Sequence, residues 1–130
     1  GEVLQPGVAQ VSGLIDEFRD AGLLVRLELS GGIPDDPALG LTIYRIVQES
    51  LTNVRRHSTA TEARVVVRLE DGIELEITDN GLPVPNTAGS GLGQVGIRER
   101  AAAMGAEVEI GPRASRGYRV RVALPRKAAL

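Results

Sequence analysis

Apolar and charged residues alternate in five short segments of the chain, and this period of two predicts β-strands. The segments are 23–29, 64–69, 73–78, 106–110 and 118–124. Asp71-Gly72 separates the second and third segments and is typical of a tight hairpin turn. A turn containing Gly and Pro separates the last two, which we also expect to pair as a hairpin.

Three other segments repeat their apolar residues with helical spacing. Val8, Val11, Ile15 and Phe18 predict a helix over 6–21. Asp36 followed by a proline is typical of a helix start and predicts a helix over 37–57. A third helix is predicted over 96–104. The order of elements is α-β-α-β-β-loop-α-β-β, and strands that follow one another without a helix between them favour an α+β fold, a sheet with helices on one face.

The outward positions of the two hairpins carry opposite charges. Acidic strands would therefore pair with basic strands on a solvent-facing side of the sheet, where each cross-strand pair contributes roughly 0.2–1 kcal/mol. The predicted sets are Arg64 and Arg68 against Glu74 and Glu76, and Glu107 and Glu109 against Arg119 and Arg121. This pattern indicates which residues face each other on neighbouring strands, and it says nothing about function.

The composition limits the classes of function. A chain of 130 residues suits one domain, and an aromatic content of 2% requires an aliphatic core. The net charge of −2 gives no reason to expect nucleic acid as a partner, and the absence of cysteine excludes disulfides and thiolate metal sites. No apolar run reaches the roughly 20 residues of a membrane helix, so we expect no direct membrane contact. The chain begins with Gly1, and we expect it to be a domain of a longer protein.

The predicted helix over 37–57 carries a polar stripe. Glu49, Asn53 and Arg56 are spaced i, i+4, i+7 and share a face distinct from the apolar one. The stripe could be a solvated surface. As chemistry it suits a metal-phosphate site, since an amide oxygen can bind Mg²⁺, a carboxylate can accept a proton and a guanidinium can bind phosphate. His57 is the single histidine and could contact phosphate, favour the helix C-terminus, or lie on the surface.

Asp79 ends the apolar strand 73–78 in the segment ITDNG. The segment Asp-Asn-Gly commonly forms a turn, which is one interpretation. The other is a buried carboxylate that accepts a hydrogen bond from the exocyclic amine of adenine and so distinguishes adenine from guanine. Both interpretations remain open at this point.

The loop over 81–95 is rich in Gly and Pro. A G-x-G-x-x-G pattern, formed by Gly91, Gly93 and Gly96, begins near its end. A dinucleotide-binding fingerprint needs a strand that leads directly into the glycines within a β-α-β unit. Here a long loop precedes them and a hairpin follows, which argues against that fold. A plain flexible loop remains possible. Otherwise glycines and a helix N-terminus near Gly96 would allow backbone N–H groups to approach a phosphate.

Three stretches in this order carry a resemblance to a known family. QESLTNVRRH, TDNG and GLGQVGIRER resemble the N, G1 and G2 boxes of the GHKL ATPase superfamily, which includes gyrase, Hsp90, MutL and histidine kinases. More narrowly, the chain resembles the ATP-binding domain of sensor histidine kinases of the NarL/DesK/LiaS type. The resemblance covers about 4–125, and it implies the Bergerat fold, an α/β sandwich with a mixed, mainly antiparallel sheet and about three helices on one face.

The resemblance also implies roles by position. Asn53 would bind Mg²⁺, Glu49 would assist phosphoryl transfer, and Asp79 would select adenine. The loop 82–95 would be the ATP lid. The other residues implied at the nucleotide are Arg56, His57, Gly81, Gly91, Gly93, Gly96 and Ile97. The implied cofactors are therefore ATP and Mg²⁺, and the glycines would wrap the triphosphate from the lid.

The implied partners lie outside this chain. No motif for a phosphoacceptor histidine is present, so the acceptor would lie on a separate histidine-bearing dimerisation domain of the same protein, which would then pass the phosphoryl group to a response regulator. The domain would be cytoplasmic and monomeric in isolation. Two positions depart from the family pattern: Pro83 replaces a glycine of the G1 box, and Tyr118 replaces a threonine after Gly117.

Two alternatives remain. A serine kinase of the anti-sigma-factor type belongs to the same superfamily, although the I-R-E-R that follows the G2 glycines favours the histidine kinase. A regulatory module that binds nucleotide with little catalysis is suggested by Pro83 and Tyr118. Phosphate chemistry would distinguish the three. A histidine kinase would produce acid-labile phosphate on a histidine, a serine kinase would produce acid-stable phosphate on a serine, and a regulatory module would produce neither.

Overall fold

The computed structural model describes residues 6–81, 90–114 and 116–125, with the side chains of His57 and of 90–93 left out. A short 3-10 helix precedes three α-helices and five strands. In chain order they are the 3-10 helix Val8–Gln10, α1 (Val11–Asp20), β1 (Leu24–Gly31), α2 (Pro37–His57), β2 (Glu62–Leu69), β3 (Gly72–Asp79), α3 (Ser90–Ala103), β4 (Glu107–Pro112) and β5 (Tyr118–Pro125).

The five strands form one mixed sheet in the order β1-β2-β3-β5-β4. β1 and β2 are parallel because the whole of α2 crosses between them, and the other three pairings are antiparallel. The predicted α+β fold with a mainly antiparallel sheet is confirmed.

The core is an aliphatic layer between one face of the sheet and the three helices. α2 contributes Ile43, Ile46, Val47 and Leu51, all fully buried, and Phe18 of α1 is the one aromatic side chain in the buried cluster. Alternate residues of β3 face this layer, whereas the residues between them face the other side of the sheet. Asp79 is the last residue of β3 and continues this alternation, so it belongs to the side of the strand that faces the core.

α2 begins and ends where the sequence predicts. Asp36 caps it, since the carboxylate Oδ1 accepts a hydrogen bond from the N–H of Ala38 at 2.9 Å, and Pro37 occupies the first helical position. The helix then continues without interruption to His57. Glu49, Asn53 and Arg56 therefore lie on one continuous helix.

The predicted starts of the other helices were wrong. The first segment opens as a 3-10 turn, and α1 begins at Val11. α3 begins at Ser90 and not near Gly96, so 90–95 of the predicted loop are helical. Glycine disfavours a helix by about 1 kcal/mol per residue, but the buried Ile97 and Ala101 anchor α3 in the core, and packing overrides the local preference. The remaining predicted lid residues, 82–89, lie outside the described residues.

The predicted charge pairs on the outer face are partly confirmed. Arg68 pairs with Glu74 at 3.4 Å and Arg119 with Glu109 at 3.2 Å. Arg64 instead pairs with Glu28 of β1 at 2.8 Å. The reason is the parallel pairing of β1 beside β2, a long-range contact that the local hairpin pattern does not contain.

In the described ranges, no helix combines the length and the apolar character that crossing a membrane requires.

Candidate functional site

The polar stripe of α2 lies at the edge of the core. Glu49 and Asn53 are half-buried and Arg56 is exposed. His57 is the last residue of α2, and its side chain lies outside the described part of the structure. Glu49 and Asn53, on successive turns of α2, are therefore the side chains of this stripe that the fold partly shields from water.

Glu49 forms an ion pair with Arg100 of α3. Nη2 of Arg100 lies 2.7 Å and Nε 2.8 Å from Oε1 of Glu49. Nε donates a charge-assisted hydrogen bond, and Nη2 completes the ion pair on the same carboxylate oxygen. The other oxygen, Oε2, is buried and has no hydrogen-bond partner among the residues that the structure describes. The carboxylate is thus held on one side and left with a buried acceptor on the other.

Gly96 and Ile97 place α3 against Glu49. Ile97 is fully buried in the core. A β-carbon built at Gly96 would lie 2.7 Å from Oε2 of Glu49, closer than side chains tolerate. Because Gly96 lies inside α3, the prediction that a free helix N-terminus begins there was wrong, and its lack of a side chain instead leaves room for Glu49.

Gly91 and Gly93 lie in the first turn of α3. The first four N–H groups of an α-helix have no partner within the helix, and the dipole favours negative charge there. The predicted phosphate-binding donors are therefore those of 90–93 at the start of α3.

Asp79 ends β3 and is 5% exposed. Its Oδ1 accepts hydrogen bonds from the N–H of Gly81 at 2.8 Å and from the hydroxyl of Ser58 at 3.4 Å. Burial raises the pKa of the Asp79 carboxyl above its ordinary value, and the hydrogen bonds from Gly81 and Ser58, the charge of Arg113 and the backbone N–H of Tyr118 oppose that rise. The carboxyl is buried but supplied with donors, as expected of a group that is retained for recognition.

The turn after Asp79 is braced from the β4–β5 connection. Arg113 Nη1 donates to the carbonyl of Asp79 at 3.1 Å, and Arg116 Nε donates to the carbonyl of Asn80 at 2.6 Å. Gly81 is buried, and a β-carbon there would collide with the side chain of Ser58 and with the backbone of Ala60, between α2 and β2. Two arginines and a glycine therefore fix the backbone on which the Asp79 carboxylate depends.

Asn80 ties the same turn to the start of β2. Its Oδ1 accepts hydrogen bonds from the N–H groups of Thr61 and Glu62, both at 3.1 Å. The turn that Asp-Asn-Gly predicts is present, closed by the Gly81 N–H on the Asp79 carboxylate, and this carboxylate is also buried. Its recognition of adenine stays a prediction.

Sequence reasoning missed several of these residues. Arg100 matches the third motif, but its partner Glu49 lies on another helix and 51 positions earlier in the chain. Arg113 and Arg116 lie in no motif. Tyr118 departs from the family pattern, and its hydroxyl accepts a hydrogen bond from Nε2 of Gln94 at 2.8 Å. The larger side chain is thus accommodated by a contact with α3.

A groove of about 810 Å³ lies on the outer face of the sheet and does not include Glu49 or Asn53. Arg26 and Glu62 are paired within it at 3.0 Å, and Asp79 also belongs to its lining. The groove is therefore a charged surface of the sheet that extends to Asp79, whereas the other two candidate side chains lie on α2.

The described residues contain no group of three or more His, Asp or Glu side chains that could enclose a metal ion. The half-buried amide of Asn53, on the polar stripe of α2, is an oxygen donor that suits such a role. A single ligand of this kind suits Mg²⁺, which keeps several waters and is commonly bound through one or two protein oxygens and the phosphates of a substrate.

Comparisons with known proteins identify relatives of this chain. The family model of the histidine kinase-, DNA gyrase B- and HSP90-like ATPases matches residues 39–128. The sensor histidine kinase YxjM of Bacillus subtilis is 32% identical over 123 residues, 92% of this chain and 30% of that protein. The methanol utilization control sensor protein MoxY of Paracoccus denitrificans is 38% identical over 106 residues, 72% of this chain and 24% of that protein.

Solved structures share the fold. The ATP-binding domain of PrrB from Mycobacterium tuberculosis superposes with a TM-score of 0.65 at 20% identity, over 94% of this chain and 96% of that one. The blue-light activated histidine kinase of Erythrobacter litoralis gives a TM-score of 0.68 at 19% identity, over 92% of this chain and 45% of that one. The chain thus spans about a third or less of the sensor proteins YxjM and MoxY but nearly the whole of an isolated ATP-binding domain. On its match to the family model, the chain belongs to the histidine kinase-, DNA gyrase B- and HSP90-like ATPases.

Proposed function

We propose that this chain binds Mg-ATP and is the catalytic domain of a sensor histidine kinase, which transfers the γ-phosphoryl group to a histidine on a separate dimerisation domain. The observation that carries the proposal is the buried Asp79 carboxylate, held by Gly81 and Ser58 at the end of β3. The family match and the sensor kinases among the relatives support it.

Asp79 would select the nucleobase. An ionised carboxylate accepts hydrogen bonds but donates none. It can therefore accept a hydrogen bond from the exocyclic amine of adenine, whereas guanine has a carbonyl oxygen at that position and would face an unpaired, buried carboxylate. A buried polar group left without its partner is expensive, so such a site discriminates strongly.

The start of α3 and the end of α2 would bind the phosphates. The N–H groups of 90–93, which include Gly91 and Gly93, provide donors at a positive helix end. Arg56 and His57 provide cationic or hydrogen-bonding side chains at the end of α2. These roles are supported by position on the two helices.

Asn53 would hold Mg²⁺ with the phosphates. Its half-buried amide is a hard oxygen donor of the kind this ion binds. When bound, the ion neutralises the charge that develops on the transferred phosphoryl group.

Glu49 would act at the reacting atoms. Oε1 is occupied by Arg100, whereas Oε2 is available to accept a proton from an attacking imidazole or to orient a water. Most of the rate enhancement of phosphoryl transfer comes from positioning and charge stabilisation, and both would be supplied here by α2 and α3.

The partners follow from the proposed reaction. A histidine-bearing dimerisation domain of the same protein would present the acceptor, and a response regulator would receive the phosphoryl group from it. We further propose that the domain works in the cytoplasm and is monomeric when isolated.

Phosphorylation of a histidine-bearing dimerisation domain by the chain with radiolabelled ATP and Mg²⁺ tests the proposal. We expect acid-labile phosphate on that domain, and its loss in Glu49→Gln but not in Glu17→Gln, a matched change at an exposed position of α1. Acid-stable phosphate on a serine-bearing protein would favour the serine kinase instead. No phosphate on either, with ATP bound, would favour the regulatory module.

A further inference from the structure

We infer that Arg100 and Gly96 of α3 are positioning residues that hold the Glu49 carboxylate with Oε2 as its reactive oxygen. The inference rests on the proposed function, and it names residues beyond those that would touch ATP. α3 lies against this carboxylate of α2 at two positions, Arg100 and Gly96.

The first contact fixes the near oxygen. Arg100 donates a hydrogen bond from Nε to Oε1 of Glu49 at 2.8 Å, and its Nη2 forms an ion pair with the same oxygen at 2.7 Å. The two side chains are 36% and 26% exposed, so the pair is partly shielded from water. A planar guanidinium that holds the oxygen through two nitrogens restricts the rotation of the carboxylate more than a single ammonium contact would.

The second feature is the space that Gly96 leaves for the far oxygen. Oε2 lies where the side chain of residue 96 would otherwise begin, since a β-carbon at Gly96 would be 2.7 Å away. Gly96 and Arg100 are four positions apart in α3 and so share one face of it. Ile97 between them is fully buried and anchors that face to the core.

The result is a carboxylate with one paired oxygen and one oxygen for which the described part of the chain supplies no hydrogen-bond partner. A buried acceptor without a partner is costly, and such a group calls for a physical reason. Here the reason is that the arginine occupies Oε1 and leaves the lone pairs of Oε2 for the reaction. α3 directly follows the predicted lid, so the helix that would bind phosphate at its start also sets the position of Glu49.

A double-mutant cycle tests whether Arg100 acts through Glu49. We expect Arg100→Gln to lower the rate of phosphoryl transfer about ten- to a hundredfold with little change in the affinity for ATP. A general base contributes roughly 10²- to 10⁴-fold, and this change would misplace the base without removing it. In a Glu49→Gln background the same change should have almost no further effect. Arg100→Lys should recover part of the rate.

Two other results would overturn the inference. If Arg100→Gln and Glu49→Gln reduced the rate multiplicatively, Arg100 would act independently of Glu49. If Arg100→Gln weakened ATP binding strongly and left the rate at saturation unchanged, Arg100 would bind nucleotide. Circular dichroism and urea unfolding of each variant establish that it folds, and the lysine variant retains the charge.

A second readout needs no ATP and separates this inference from the proposed function. The ¹³C resonance of the Glu49 carboxylate should move in Arg100→Gln and in Gly96→Ala. It should not move in Gly13→Ala, a matched helical change at a position with no atom within 4 Å of the added β-carbon. An unchanged resonance in the first two variants would contradict the inference, whereas a wild-type chain that binds no nucleotide would contradict only the proposed function.

Discussion

Gly117 lies so close to Asp79 that a β-carbon at position 117 would collide with the main-chain carbonyl of Asp79. Gly117 also has a φ of +93°, in the left-handed region that favours glycine. Two independent constraints therefore require glycine at this position. Through it, the β4–β5 connection is packed directly against the strand end that carries the proposed adenine-binding carboxylate.

Gly117→Ala should destabilise the fold far more than a comparable change elsewhere. We expect the free energy of unfolding to fall by about 3 kcal/mol or more, since steric overlap adds to the cost of a positive φ. Gly105→Ala is the matched control, because Gly105 has a φ of +75° but no atom within 4 Å of an added β-carbon. It should cost about 1 kcal/mol. Urea unfolding measures both values, and equal losses would contradict the packing argument.

The raised pKa of Asp79 predicts a pH dependence of stability. A carboxyl whose pKa is raised in the folded state binds its proton more tightly there, so stability falls as pH rises from the ordinary value of 3.8 through the raised value. Asp79→Asn lacks this loss. The free energy of unfolding of the variant minus that of the wild type should therefore increase with pH in this window.

Urea unfolding at a series of pH values measures that difference for the nucleotide-free chain. Asp20→Asn, at an exposed position at the end of α1, serves as the control and should stay parallel to the wild type. A difference for Asp79→Asn that decreases as pH rises would show that the carboxyl is stabilised, not penalised, in its ionised form.

Arg113 should influence nucleotide binding through Asp79. Its charge opposes the rise in the pKa of Asp79, and its Nη1 holds the Asp79 carbonyl. In Arg113→Met the pKa of Asp79 should rise further, so that nucleotide affinity is lost at a higher pH on the acidic side. Arg68→Met removes an exposed arginine of the outer face and should leave the profile unchanged. Binding titrations over pH measure the shift, and coincident profiles for the two variants would exclude this role.

The fold was predictable from the sequence where local pattern decides it. Alternation in β2 and β3 and the Asp36-Pro37 start of α2 are local signals, and the structure agrees with them. The start of α3 was not predictable in this way, because glycine propensity opposes the helix and the burial of Ile97 favours it. A single sequence does not reveal which of the two prevails.

The candidate site was predictable only as a set of motifs. Glu49 and Asp79 are marked by their spacing and by their place at the end of an apolar strand. The groups that support them, Arg100 and Arg113, reach them across tertiary contacts that no local pattern contains. The partner of Arg64 was missed for the same reason, since it depends on which strand lies beside β2.

Calorimetric titration with a non-hydrolysable ATP analogue, with and without Mg²⁺, tests the central claim most directly. The wild-type chain and Asp20→Asn should bind the analogue in a Mg²⁺-dependent manner. Asp79→Asn should lose at least tenfold in affinity, about 1.4 kcal/mol or more, because it removes the negative charge and replaces one acceptor oxygen by an NH₂ donor. Equal affinity of Asp79→Asn and the wild type, or no binding by a folded wild-type chain, would contradict the account.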